Sequence, residues 1–311
     1  LVPVRFRLPD GRMAEPLHRT AWAPEQAGEP PLMRALRGEW PCVPFGYTSA
    51  AGPDTPPAWA ALMRPAEPGE EVHGFGSNHD WTWEEAEGAL ALSIGYPEGH
   101  AIRRLRRTVR PDPAAAAIDL SLTVEARAAC ALPLGLHFTF RLPPETGALR
   151  VEPGRFREGR TYPGSVEPGR SLFAIDRAFS DLAAVPARDG APRDATRLPL
   201  AEDVEELLQL NGHAGEAAVA WPAEGFRARI RWDADAFPSL LLWLSNRGRT
   251  AAPWNGRHLA LGLEPVRSPF GFGPATAAAP NPLSLSGTPT ARAFRAGEVW
   301  ETRYRLSVEP L

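Results

Sequence analysis

An all-β fold, built as two packed antiparallel sheets with long loops, is what this sequence predicts, and three observations predict it. Seven segments alternate apolar with polar or small residues, the period-two signature of strands with one face buried. Helical periodicity is nearly absent. The 35 prolines, about twice the usual share of roughly 5%, are spread along the chain, so they punctuate strands and mark no hinge between domains. The expectation is one domain over 1–311, a length that β-sandwiches can fill as a single unit.

In order, the strand segments are "LVPVRFRL" (1–8), "ALALSIGY" (89–96), "AIDLSLTVEA" (117–126), "LGLHFTFRL" (134–142), "FRARIRW" (226–232), "HLALGLEPV" (258–266) and "VWETRYRLSV" (299–308). In 117–126, Leu120, Leu122 and Val124 share one face while Ser121, Thr123 and Glu125 share the other. One segment, "AEDVEELLQL" (201–210), reads as a short helix, with Val204, Leu207 and Leu208 on one stripe and acids in the first turn. Proline- and glycine-rich stretches at 49–69, 143–170, 186–199 and 268–291 read as loops. "VEPGR" occurs at 151–155 and again at 166–170, two similar turns and not a repeat architecture.

Composition narrows the chemistry. Apolar residues make up 43% of the chain and charged ones 23%, enough for a substantial core, and the net charge of −3 offers no basic excess for nucleic acid or an anionic membrane surface. No apolar run approaches the roughly 18 residues of a membrane span. All 34 basic residues other than histidine are arginine, so Schiff-base chemistry, lysine general bases and a P-loop lysine are excluded. The two cysteines, Cys42 and Cys130, form no CxxC pair; they exclude a four-thiolate zinc site and fit a reducing cytoplasm. The start of the chain, "LVPVRFRLPDG", does not read as a signal peptide.

Three stretches carry candidate chemistry. "HGFGSNHDW" (73–81) gathers His73, Asn78, His79, Asp80 and Trp81 around two glycines. Its histidine spacing matches neither the i, i+4 pair of a helix nor the i, i+2 pair of a strand, which argues against a metal. A ligand-contacting wall and an ordinary polar turn both remain open on spacing alone. In "PLGLHFTFRLP" (133–143), alternation places Leu134, Leu136, Phe138 and Phe140 on one face and Gly135, His137 and Thr139 on the other. In "HLALGLEPV", His258, Ala260, Gly262 and Glu264 share a face, and Gly262 leaves space beside Glu264 for a ligand or another backbone. An imidazole titrating near 6.5 and a partly desolvated carboxylate can together move protons on a neutral substrate without a metal or cofactor. Ten tryptophans, several beside polar stretches (Trp40, Trp59, Trp81, Trp83, Trp254, Trp300), offer flat faces for sugar rings.

These stretches, together with "RALRGEWPCVPFG" (34–46) and "RAGEVWETRYRLSV" (295–308), stand in the order found in the aldose 1-epimerase (galactose mutarotase-like) superfamily, which the chain resembles over nearly its whole length. The resemblance implies a large antiparallel β-sandwich (the galactose mutarotase-like supersandwich) and an isomerase that interconverts sugar anomers without a cofactor or metal. It implies His137 as the general acid at the ring oxygen, Glu264 as the general base at the anomeric hydroxyl, and His73 as a substrate-binding residue. "HGFGSNHDW" then becomes one wall of a carbohydrate pocket, with Asn78, His79 and Trp81 as further contacts. The family's substrate-binding aspartate is matched by Asp233 or Asp203. This chain departs from the pattern at Phe138-Thr139-Phe140 after His137, at Val266 after Glu264-Pro265, and at Ser77 to His79, where an arginine is expected. A non-catalytic carbohydrate-binding or sensing protein on the same fold is the alternative. A glycoside hydrolase or polysaccharide lyase is a third reading, for which only Glu264 has a fitting setting. The expected partner is a small carbohydrate, with no nucleic acid and no membrane, and the chain acts as a monomer or homodimer in the cytoplasm.

Overall fold

The computed structural model describes residues 1–311, the side chain of Ala35 excepted. Two large antiparallel sheets face each other across one main apolar core. The nine-stranded sheet runs, in spatial order, Arg197–Leu198, Leu149–Glu152, Glu216–Trp221, Phe226–Trp232, Val299–Pro310, Ala117–Ala126, Ile102–Pro111, Leu90–Gly95, Thr82–Glu84. The seven-stranded sheet runs Ala178–Phe179, Glu158–Thr161, Val204–Asn211, Ser239–Asn246, Leu259–Arg267, Leu134–Arg141, Glu39–Cys42. Helices are short, the longest α-helix being Gly273–Ala278. None is long and apolar enough to cross a membrane.

Six of the seven alternating segments form strands close to the expected bounds. The seventh, 1–8, pairs only through Phe6–Arg7 with Met13–Ala14. Segment 201–210 is a strand and not a helix: Val204–Asn211 pairs with Ser239–Asn246 along its whole length. Both of its faces are covered. Leu208 and Leu210 join the inter-sheet core, while Glu205 and Gln209 lie buried on the other face. Covering both faces places apolar residues on each, and that mixture imitated a helical stripe.

A polar contact ties the sheets together inside the core. Glu39 of the seven-stranded sheet accepts from Arg107 Nη2 at 2.5 Å and from the Tyr304 hydroxyl at 2.8 Å, both on the nine-stranded sheet. All three residues are buried. In "RRLRR" (103–107), therefore, Arg107 turns inward and pairs, whereas Arg103 is exposed.

Candidate active site

The outer face of the seven-stranded sheet carries the candidate site, and strand register places its residues. Trp40 pairs with His137 across the Glu39–Cys42 and Leu134–Arg141 strands. On the other side of that strand, Gly262 pairs with Thr139 and Val266 with Gly135, so the intervening register sets Glu264 beside His137. Glu264 in turn pairs with Leu241, and Leu241 with Gln209. One row across four strands thus reads Trp40, His137, Glu264, Leu241. The strand does not end at Glu264: Pro265 lies within it, opposite Leu240.

Local contacts fix the pair. His137 Nε2 lies 3.5 Å from Glu264 Oε1, and His137 Nδ1 lies 3.2 Å from the Thr139 hydroxyl. The indole of Trp40 stacks on the imidazole with centroids 4.1 Å apart and planes at 15°. Trp40 Nε1 is a buried donor without a partner among the described residues. Gly262 does leave space, and what fills it is Glu264 itself: a Cβ at 262 would stand 2.3 Å from Glu264 Oε1.

His73 approaches the pair from a loop. Its ring stands edge-on to His137, with centroids 5.2 Å apart. The backbone there turns through φ values of +58° at His73 and +80° at Gly74, and a Cβ at Gly74 would meet the Val43 carbonyl oxygen at 2.3 Å. Only glycine permits so close an approach. Gly46 N donates to His73 Nδ1 at 3.2 Å, which places the ring proton on Nε2.

Burial governs the titration of all three groups. It pushes the Glu264 carboxyl well above its ordinary value. It holds His137 well below 6.5, with His73 adding to the effect, and lowers His73 to about 4. Separating charge between His137 and Glu264 is disfavoured for the same reason, so the resting pair is neutral overall and holds one transferable proton.

A cavity of about 310 Å³ opens over this floor, at the small end of the range for small-molecule sites. His73, His137 and Glu264 all line it. Most of the remaining wall is apolar, including Leu32, Met33, Leu36, Leu207, Trp243 and Trp254. Arg249 is its one arginine. A hollow of about 730 Å³ on the nine-stranded sheet is lined largely by charged groups, several of which pair with each other, such as Arg305 with Asp119 and Arg303 with Glu301.

Of the other residues singled out from sequence as candidate contacts, Trp254 lines the cavity and the polar ones do not. Asn78 is buried and braces the turn that carries His73, donating to the carbonyls of Val72 at 2.8 Å and Gly74 at 3.0 Å and accepting from Leu32 N at 3.0 Å. His79 lies at the surface, 2.8 Å from Glu71 and stacked on Phe75. Trp81 packs against the core and donates to the Gly76 carbonyl at 2.7 Å. Asp233 closes a turn by accepting from Asp235 N at 2.9 Å, and Asp203 pairs with Arg247 at the surface. His258 is buried in a chain running from His18 Nε2 at 3.0 Å, through His258, to the Ser245 hydroxyl at 2.8 Å. No group of three or more His, Cys, Asp or Glu among the described residues has the geometry to hold a metal ion.

Three features of the site had no reading in the sequence. The stack of Trp40 on His137 could have been found from the "GEWPC" strand once its partner was known. Glu205 lies in a segment whose apolar stripe reads as a helix, which hides its place in the sheet. Arg249 sits in a loop with no periodic signal.

No protein-family model matches the chain, and no curated protein matches it. Solved structures do. A candidate aldose 1-epimerase from Escherichia coli K12 is similar at a TM-score of 0.58 and 19% identity, over 88% of this chain and 84% of that one. A galactose mutarotase-like protein from Clostridium acetobutylicum matches at 0.54 and 13% identity, over 88% and 80%. Another, from Lactobacillus casei, matches at 0.52 and 16% identity, over 88% and 90%. The architecture described above is thus the galactose mutarotase-like β-sandwich.

Proposed function

We propose that this sandwich serves an aldose 1-epimerase-type enzyme, a mutarotase that interconverts the anomers of a sugar or sugar derivative. The observation that carries the reading is the His137–Glu264 pair, 3.5 Å apart on the floor of a cavity sized for a small molecule. Anomer exchange needs a proton delivered to the ring oxygen and another removed from the anomeric hydroxyl. In the assignment adopted, His137 delivers and Glu264 removes; the proton of the resting pair passes to His137 as the substrate hydroxyls replace lost solvent. The C1–ring-oxygen bond breaks, the aldehyde rotates, and reclosure on its other face returns both protons. His73, donating from Nε2, orients the oxygen at the reacting end. Both groups stand on central strands, so their separation is set by sheet register and not by a mobile loop.

Magnetization-exchange NMR on a panel of aldoses, measured against the spontaneous rate, tests this. Glu264→Gln and His137→Ala are each expected to lower kcat/KM by at least about 100-fold, the usual weight of a positioned acid or base. If both variants exchange anomers as the wild type does, the reading is wrong. The stack of Trp40 on His137 and the depth of the pair suit the alternative as well: a carbohydrate-binding protein that retains the pair for recognition. That reading predicts sugar binding with no exchange above the spontaneous rate.

A further inference from the structure

Arg249 stands out because nothing in the proposed chemistry uses it. It is a cation in the wall of a largely apolar cavity. Its guanidinium lies over the Trp254 ring at 4.6 Å and 5.7 Å from the Trp243 centroid. Its Nε is 3.3 Å from Glu205 Oε1, while its terminal nitrogens make no hydrogen bond among the described residues. Glu205 is fully buried and also accepts from Trp243 Nε1 at 2.6 Å and the Ser245 hydroxyl at 3.2 Å. The arginine is therefore held flat by two indoles and one carboxylate, with the two-pronged end of its fork unused. With 29% of its side chain exposed, it stands where the cavity meets solvent.

We infer that Arg249 binds the carboxylate of a sugar acid, a uronic-acid-type substrate whose anomeric end lies at His137 and Glu264. The inference rests on the anomer-exchange reading for that end. Spacing supports it. The Trp243 ring stands between the two ends, 5.9 Å from the His137 ring and 5.7 Å from the Arg249 guanidinium, so one pyranose ring with its exocyclic carbon, hydrogen-bonded at each end, can reach both. Charge favours a carboxylate over a phosphate. One guanidinium matches one carboxylate through two parallel hydrogen bonds, whereas a phosphate brings a charge of about −1.5 to −2, and no second arginine lines the cavity to meet it. A neutral aldose would leave the two-pronged end of the fork without a ligand partner, whereas a carboxylate would fill it with two charge-assisted hydrogen bonds.

The test compares D-glucuronate and D-galacturonate with glucose, galactose and their 6-phosphates in the NMR exchange assay, using wild type and Arg249→Gln. The uronates are expected to show kcat/KM at least about tenfold above the matching neutral sugars, and Arg249→Gln is expected to remove that excess. Arg249→Lys, which keeps the charge but loses the fork, should retain part of it and serves if Arg249→Gln does not fold. A wild-type preference for neutral or 6-phosphorylated sugars, or an unchanged preference in Arg249→Gln, overturns the inference. Calorimetric titration of D-glucuronate separates it from the reading it rests on. Arg249-dependent binding without exchange of any sugar removes the mutarotase and keeps the acid subsite; exchange without a uronate preference does the reverse.

Discussion

At the scale of single residues, Glu264 depends on the glycine two positions before it. Its carboxyl folds back along its own strand into the space a Cβ at 262 would occupy, 2.3 Å from Oε1, and that Cβ would also stand 2.8 Å from the Cβ of Trp243. Gly262→Ala is therefore expected to displace the carboxyl from His137 and reduce anomer exchange nearly as far as Glu264→Gln. Exchange rates near wild type, in a variant shown by circular dichroism to be folded, would refute this dependence. His137 and Glu264 were legible in the sequence because each sits on an alternating strand, where parity alone assigns the face. Asn78, His79 and Trp81 were grouped with His73 by proximity in sequence. A tight turn separates them in space, sending only His73 to the cavity and leaving Asn78 to brace it from behind. Arg249 was illegible for the opposite reason: a loop residue gains its setting from contacts distant in sequence.

At the scale of elements, strands were readable where one face is clad by core and the other by water. The strands Ser239–Asn246 and Glu216–Trp221 are covered on both faces and read as plain apolar runs. Ile102–Pro111 was hidden by a register shift between Ile102 and Arg104 and by the inward turn of Arg107. The helix reading of 201–210 has a direct energetic counterpart. On a solvated helix turn, replacing Glu205 would change stability by less than about 0.5 kcal/mol. In the strand, Glu205→Leu strands the Trp243 Nε1 donor and the Arg249 guanidinium, and is expected to cost about 1–3 kcal/mol. Urea unfolding with an unchanged slope and a lowered midpoint would register it; an unaltered midpoint would contradict the buried role.

At the scale of the whole molecule, stability follows the buried titratable groups. Burial lowers His18, His73 and His213 to about 4 and His258 to about 2. In the unfolded chain each titrates near 6.5. Between those values the unfolded state binds the extra protons, so stability falls as pH drops from about 6.5 toward 4. Glu206 is raised to about 7 by burial and works in the opposite sense: its contribution is complete below the unfolded carboxylate range near 4.3 and is lost as pH rises through 7. The four histidines outweigh the one carboxyl across this range, so thermal melts over a pH series should show Tm rising steeply from about pH 4 and levelling off above about pH 7. A Tm that stays flat from pH 5 to 8 would mean these groups are hydrated in solution.

The separation of His137 from Glu264 in the chain has a consequence for synthesis. The two halves of the pair are 127 residues apart, and at roughly 5–20 residues per second the ribosome delivers the second about 6–25 s after the first. Until then the Leu134–Arg141 strand, flanked on one side by Glu39–Cys42, presents its other edge unpaired. Such an edge is a template for pairing with other nascent chains. The His137–Glu264 pair cannot form before the Leu259–Arg267 strand emerges, and translation that stalls short of it leaves the ribosome holding an adhesive intermediate.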